Sequence, residues 1–273
     1  MRARSLLYLP ASNARAVDKA RQLHCDIAVL DLEDAVDISA KETARAAAVE
    51  AFNGRHFAPR LGVRINGLDT PWGYDDLKAL RDTPVGLIVA PKVDSAETLH
   101  ALFDAINPGV ELIAMIETPM ALLNLREIAC VGGALKALMI GTNDLAKELG
   151  TLTSADREPL KPHLAAIVAH AKAYGLLAID GVYNRFKDEA GFVAECEQGR
   201  QFGFDAKSLI HPVQIDPAHA IFGPTKAEVE WARMIIAAFN TPEAEGKGVI
   251  KLDNGEMIER LHLEQARAVL ERL

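Results

Sequence analysis

Five short apolar runs in this chain each carry or end on a charged side chain: VLDLE reaches Glu33, LGVRIN carries Arg64, LIVAPK ends on Lys92, LIAMIE ends on Glu117 and LMIGTND ends on Asp144. An ion at the edge of a buried β-run is costly unless something binds it. If the runs lie parallel and alternate with helices, their C-terminal ends meet on one face, and acids and bases far apart in sequence become neighbours. Such a face reads as an active site.

The apolar periodicity predicts strands at 5–9, 27–31, 61–65, 86–90, 111–116, 135–140, 177–180 and 205–209. Helical signals lie between them. Ser39 with Glu42 and Asp94 with Glu97 have capping-box spacing, Thr118–Pro119 suits an N-cap and first helical position, and Gly175 and Gly203 close helices predicted over 156–174 and 189–202. Eight alternations favour a (β/α)₈ TIM barrel over an open doubly wound sheet. The turn after the first strand reads YLPASNAR, not the G-x-G-x-x-G of a dinucleotide-binding sheet, and no P-loop pattern occurs.

With 273 residues the chain is long enough for one barrel domain, expected over 1–222, with a C-terminal extension over 223–273. Short helices are expected near 213–221 and 226–239, a hinge or small β-ribbon over 241–256, and a last helix over 260–272. The tail holds too few apolar residues to fold alone, so it is expected to pack on the barrel or on another subunit.

A formal charge of −8 argues against nucleic acid or an anionic membrane as partner. The apolar stretch before Pro10 is shorter than the roughly seven residues of a signal-peptide core, and no run approaches the ~18 residues of a membrane span. Cys25, Cys130 and Cys196 are widely spaced without C-x-x-C, as expected of reduced thiols, so the cytoplasm is the expected compartment.

Glu117 and Asp144 end successive strands, where two hard carboxylates completed by water suit Mg²⁺; alternatively Glu117 pairs with a cation and Asp144 caps a short helix. Arg64 offers a planar fork to a substrate carboxylate, or bridges to Glu33 or Asp34 across the mouth. Asp31, Glu33 and Asp34 crowd one strand end, and their repulsion calls for a cation; Asp31 is expected to be structural. So acidic a setting raises the pKa of Lys92, which argues against an imine-forming lysine. Asp180 and Lys207 are expected to be a barrel-mouth ion pair, and His211 a hydrogen-bonded loop residue. Arg15 and Lys19 flank the first helix, where they meet phosphates or simply face solvent.

The words LLYLPASNARAVDKA, DLEDAV with KETAR, VRIN, APK, IETPMAL, GTNDL and GFDAKSLIHPVQ occur in order over residues 5 to 214. In this the chain resembles the citrate lyase β-subunit family (citryl-CoA, malyl-CoA, methylmalyl-CoA and citramalyl-CoA lyases) within the HpcH/HpaI aldolase group. The resemblance implies a TIM barrel, often trimeric or hexameric, with Mg²⁺ on Glu117 and Asp144 and the acid end of the substrate on Arg64. It also implies Glu33 and Asp34 beside the metal shell, and Arg15 and Lys19 near coenzyme A phosphates. The implied reaction is cleavage or condensation of a 3-hydroxyacyl-CoA thioester of a hydroxy-dicarboxylic acid, with a 2-oxo acid and an acetyl-CoA-type thioester as the other partners.

Two departures stand out. Relatives carry a tail motif G-x-M-[IV]-D-x-P whose aspartate serves the active site, often from a neighbouring subunit; here GEMIERLH places Glu259 at that position, as acid or base or as a surface residue of the last helix. Asn143 stands where relatives commonly have an acid. The competing readings are a class II aldolase on free hydroxy-oxo acids, whose usual histidine base near the second strand is missing here, and a non-catalytic metal- and acyl-CoA-binding subunit.

Overall fold

A computed structural model describes residues 3–152, 154–241, 246–252 and 255–271. Eight strands, β1 (Ser5–Pro10), β2 (Ile27–Asp31), β3 (Arg60–Arg64), β4 (Leu87–Ala90), β5 (Glu111–Ile116), β6 (Leu135–Ile140), β7 (Leu177–Asp180) and β8 (Ala206–Leu209), form a closed barrel in sequence order. All neighbours are parallel, and Leu6 opposite Ser208 closes the ring between β1 and β8. The expected (β/α)₈ barrel is therefore the fold, and each predicted strand is present to within a residue or so of its ends.

The helices are α1 (Ala14–Ala20), α2 (Lys41–Asn53), α3 (Gly73–Leu80), α4 (Ala96–Ala105), α5 (Pro119–Leu123), α6 (Leu125–Cys130), α7 (Thr142–Leu149), α8 (Lys161–Ala173), α9 (Glu189–Phe202), α10 (Ile215–Phe222) and α11 (Lys226–Phe239). Thr118 caps α5 by accepting the Ala121 N–H, and Gly175 and Gly203 adopt φ of +68° and +99° at the ends of α8 and α9, as expected. The two capping boxes differ. Before α4 the cap is Ser95, not Asp94, because Asp94 instead accepts the Thr118 hydroxyl. Before α2 a 3₁₀ turn over Ile38–Ala40 takes the place of a side-chain cap. Helix α8 starts at Lys161, later than predicted, after a 3₁₀ turn over Glu158–Leu160, and carries Pro162 in its first turn.

Strand pleating makes two apolar layers. Leu6, Ile27, Val29, Leu87, Val89, Ile113, Met115, Met139 and Ile179 fill the lumen, while alternate residues such as Leu7, Leu30, Val63, Ile88 and Leu138 face the helices. The same period places the charges. Asp31 follows Val29 and Glu117 follows Met115 on the lumen side, whereas Asp180 and Lys207 are one residue out of phase with Ile179 and Ala206 and face α9.

The predicted mouth pair is therefore a pair, but behind the wall. Lys207 Nζ lies 2.8 Å from Asp180 and 2.7 Å from Glu195, and Arg157 Nη1 donates to Asp180 at 2.7 Å. Asp180 and Lys207 have no exposed surface.

Of the hinge or small ribbon expected over 241–256, the structure shows a ribbon whose first strand, β9 (Val249–Lys251), lies inside those bounds and whose second, β10 (Met257–Glu259), lies just past them; α12 (Arg260–Leu270) follows, and residues 242–245, 253–254 and 272 lie outside the described residues. Among the described residues, the buried apolar side chains of the extension cluster with one another rather than with the barrel core. Ala232 and Ile235 of α11, Ile258 of β10, and Ala266 and Val269 of α12 make a cluster of their own, because the ribbon supplies the wall that two helices lack. An Arg200–Glu228 ion pair ties α9 to α11. None of the helices among the described residues is long and apolar enough to cross a membrane.

Candidate active site

Glu117 stands one residue beyond β5. Its Oε1 accepts the Lys92 backbone N–H at 2.8 Å, and Lys92 adopts φ of +49°, in the left-handed region that a lysine seldom occupies. Its Oε2 is buried with no hydrogen-bond partner, and 1 % of the residue is exposed. Gly141 makes the space, since a Cβ there would sit 2.4 Å from that oxygen. Burial pushes the Glu117 carboxyl up to about 7; the Lys92 N–H and Arg64 oppose this, while Asp144 and Asp34 add to it.

Asp144 lies in the first turn of α7, whose N-cap is Gly141, so it does not cap the helix. It is half-buried and lines the same cavity as Glu117.

Arg64 sits opposite Asp31 in the β2–β3 register and stacks on Tyr8, its guanidinium carbon 4.8 Å from the ring centre. Its fork is taken by Asp31: Nε donates to Oδ1 at 2.7 Å and Nη2 to Oδ2 at 2.5 Å. Asp31 thus has more than a structural place in the barrel wall. It faces the lumen, has no exposed surface, and fixes the guanidinium.

The Arg64 Nη1 lies 2.8 Å from Glu33 Oε2 and 3.7 Å from Asp34. The contact with Glu33 is an ion pair whose N–H direction misses, so that buried oxygen too lacks a hydrogen bond. Burial drives the Glu33 carboxyl up to about 8; Arg64 works against it, and Asp34, Glu117 and Asp31 work with it.

A cavity of about 290 Å³ at the barrel mouth is lined by Tyr8, Asp31, Asp34, Arg64, Met115, Glu117, Met139, Asn143, Asp144, Asn184 and Ser208; Glu33 reaches Arg64 from beside it without lining it. Arg64, Glu33, Asp34, Glu117 and Asp144 are brought together as the sequence suggested. Tyr8, Asn184 and Ser208 escaped it because uncharged side chains give no signal at a strand end. Asn143 exchanges amide hydrogen bonds with Asn184 at 2.8 and 3.4 Å.

Other expected site residues stay apart. Arg15 and Lys19 are exposed on α1 and do not line the cavity. Glu259 is the exposed N-cap of α12, where its backbone N–H donates to His262 Nδ1, so it does not reach the mouth of its own chain. The Lys92 ammonium is held above its ordinary value: partial burial lowers it, but Glu33, Asp34, Glu117 and Asp144 outweigh that, which is the wrong direction for an imine. His211 caps a short turn by accepting the Val213 N–H and stacks on Phe186, the loop role expected of it.

Among the described residues no three His, Cys, Asp or Glu side chains converge as a ready metal cage. A partnerless buried carboxylate oxygen, a glycine that clears room for it and a second carboxylate beside it still suit one ion: Mg²⁺, which binds through one or two carboxylates and keeps several waters. A cation there must displace the proton that burial favours on Glu117. Addition of Mg²⁺ at pH 6.5 is therefore expected to release protons, and its stabilising effect is expected to grow from pH 6 to pH 8. Calorimetry in buffers of different ionisation enthalpy measures the first; an equal thermal shift at both pH values contradicts the second. Gly141→Ala is expected to push the Glu117 carboxylate aside and weaken Mg²⁺ at least ~10-fold, read as a loss of the Mg²⁺-induced shift in melting temperature.

A parallel (β/α)₈ barrel that gathers a clamped guanidinium and unsatisfied carboxylates at the C-terminal ends of its strands defines a barrel enzyme with its chemistry at the mouth. The chain belongs to the HpcH/HpaI aldolase/citrate lyase family, whose model matches residues 4–212.

It is 45% identical to the (3S)-malyl-CoA thioesterase of Cereibacter sphaeroides (strain ATCC 17029 / ATH 2.4.9), over 98% of this chain and 93% of that one. It is 34% identical to citrate lyase subunit beta of Escherichia coli (strain K12), over 98% and 92%. Among solved structures it resembles CitE from Mycobacterium tuberculosis in complex with magnesium, acetoacetate and coenzyme A, with a TM-score of 0.81, 29% identity, and coverage of 98% of this chain and 97% of that one.

Proposed function

We propose that this protein is a Mg²⁺-dependent enzyme that cleaves or forms a carbon–carbon bond in the coenzyme A thioester of a hydroxy-dicarboxylic acid, with a 2-oxo acid as the small partner. The observation that carries the reading is Glu117, whose buried, partnerless oxygen faces the mouth beside Asp144. CitE complexes with magnesium and either oxaloacetate or acetoacetate and coenzyme A support the ligand classes.

Glu117 and Asp144 hold the ion, which when bound supplies a Lewis acid for the oxygen that gains charge as the bond breaks. Arg64 turns the N–H donors that Asp31 leaves free toward the acid end of the substrate. Glu33, whose carboxyl burial raises to about 8 against the pull of Arg64, hands over or takes up a proton beside that end, with Asp34 next to it. Arg15 and Lys19 meet the coenzyme A phosphates. Glu259 serves as acid or base only in an assembly, a homotrimer or hexamer, in which the tail of one copy meets the mouth of another. No histidine lines the cavity among the described residues, which weighs against an aldolase base of that type.

A second reading keeps the substrate class and changes the bond: hydrolysis of the thioester, favoured by the 45% identity to a malyl-CoA thioesterase. One assay separates them. Citryl-, malyl-, citramalyl- and methylmalyl-CoA are incubated with Mg²⁺ and again with EDTA, and products are resolved by mass. A 2-oxo acid (glyoxylate from malyl- and methylmalyl-CoA) with an acyl-CoA supports carbon–carbon cleavage, and free coenzyme A with the intact hydroxy acid supports hydrolysis. No turnover of any ester points to a non-catalytic subunit, and indifference to EDTA removes the metal from the mechanism.

A further inference from the structure

The word KETAR finds no use in the proposed reaction, yet its lysine is buried directly behind the site. Lys41, the first residue of α2, is 6 % exposed. Its Nζ donates to the Leu32 carbonyl at 2.8 Å, the Glu33 carbonyl at 2.8 Å and Asn66 Oδ1 at 2.7 Å. An ammonium has three N–H donors, so all are consumed and none is left for a ligand.

The acceptors belong to two strand ends. Leu32 and Glu33 begin the acidic turn after β2, and Asn66 lies two residues beyond Arg64. Asn66 is fixed in turn, its backbone and side-chain N–H groups donating to Asp76 Oδ2 at 2.9 and 2.6 Å, and Arg45 Nε donates to Asp76 Oδ1 at 2.7 Å. Asn66 and Asp76 are buried too.

We infer that Lys41, with Asp76 and Arg45 behind it, is a positioning latch that sets the acidic turn carrying Glu33 and Asp34 against the strand end carrying Arg64. The physical need is plain. Three buried oxygen dipoles converge on one point, and without a compact triple donor they repel and the turn moves outward. Glu117 follows β5 and Asp144 lies in the first turn of α7, both outside the latch. It therefore acts on the substrate-facing half of the mouth and not on the cation-facing half. The catalytic consequence rests on the proposed reaction; the structural claim does not.

The test uses the full chain with Lys41→Met, which keeps the apolar stem, and Asp76→Asn, which keeps shape and removes the charge held by Arg45. Amide hydrogen exchange of residues 32–36 is expected to quicken at least ~10-fold in Lys41→Met and less in Asp76→Asn, while residues 111–117 keep their wild-type rates. The Mg²⁺-induced melting shift stays within about 2-fold in strength, whereas kcat/KM falls by roughly 10²-fold, as a misplacement of about 1 Å entails. A change confined to melting temperature, with wild-type exchange at 32–36, overturns the latch. So does a parallel loss of the Mg²⁺ shift. If Lys41→Met fails to fold, Asp76→Asn decides by the same readings. If the wild type turns over no coenzyme A ester, the proposed reaction has failed, and the exchange data still judge the latch.

Discussion

Glu117→Gln is expected to make the protein inactive and more stable at once. Removing a carboxylate proposed to hold the ion is expected to forfeit several kcal/mol of charge stabilisation in the transition state, about 10³-fold or more in kcat, and to abolish the Mg²⁺-induced thermal shift. Stability moves the other way. An acid whose folded pKa is raised from 4.5 to about 7 contributes no penalty below its unfolded value, and stability is lost as pH climbs between the two. Above that window the buried charge costs the metal-free fold roughly 3 kcal/mol, and glutamine avoids it. In EDTA at pH 8 the variant is expected to melt above the wild type, and at pH 4.5 the two converge. A variant that keeps Mg²⁺-dependent turnover, or melts lower in EDTA at pH 8, contradicts this account.

Lys207→Met is expected to show the opposite profile. The lysine has no exposed surface and holds Asp180 and Glu195 together between the barrel wall and α9. Breaking a buried ion pair on one side leaves uncompensated charge and costs about 3–5 kcal/mol, or roughly 5–10 °C in melting temperature for a chain of this length. Because this cluster faces away from the lumen, kcat/KM of the folded fraction is expected to stay within about 3-fold. A large loss of kcat/KM without loss of stability would show that Lys207 reaches the mouth.

The contrast between these residues shows where sequence reading stops. The apolar runs that became β1 to β8 announce themselves because a buried strand has few polar residues to blur its ends, and closure into a ring follows from the number of alternations. The acids and the arginine at strand ends were legible for the same reason. Phase was the harder matter. Asp31 and Asp180 both end strands, but a shift of one residue in the pleat sends the first into the lumen and the second to the helix layer. Counting alternate residues back from each charge would have separated them. Lys41 gives no such sign: it opens an alanine-rich helix, where a lysine ordinarily meets water, and its burial follows from the converging oxygens of Leu32, Glu33 and Asn66. For Arg15 and Lys19 the residues alone allow either phosphates or solvent, and the role of Glu259 comes from family likeness; the geometry of a single chain leaves all three at the surface.

The grip of Asp31 on Arg64 has a thermodynamic corollary. A free arginine surrenders roughly 0.5–1.5 kcal/mol of rotamer freedom when an anion seizes it. Here folding has already exacted that loss, so an arriving anion meets a donor array with little mobility left to forfeit. Exchanging Asp31 for a residue that lets the guanidinium swing would tax every subsequent encounter, even where the same contacts form in the end.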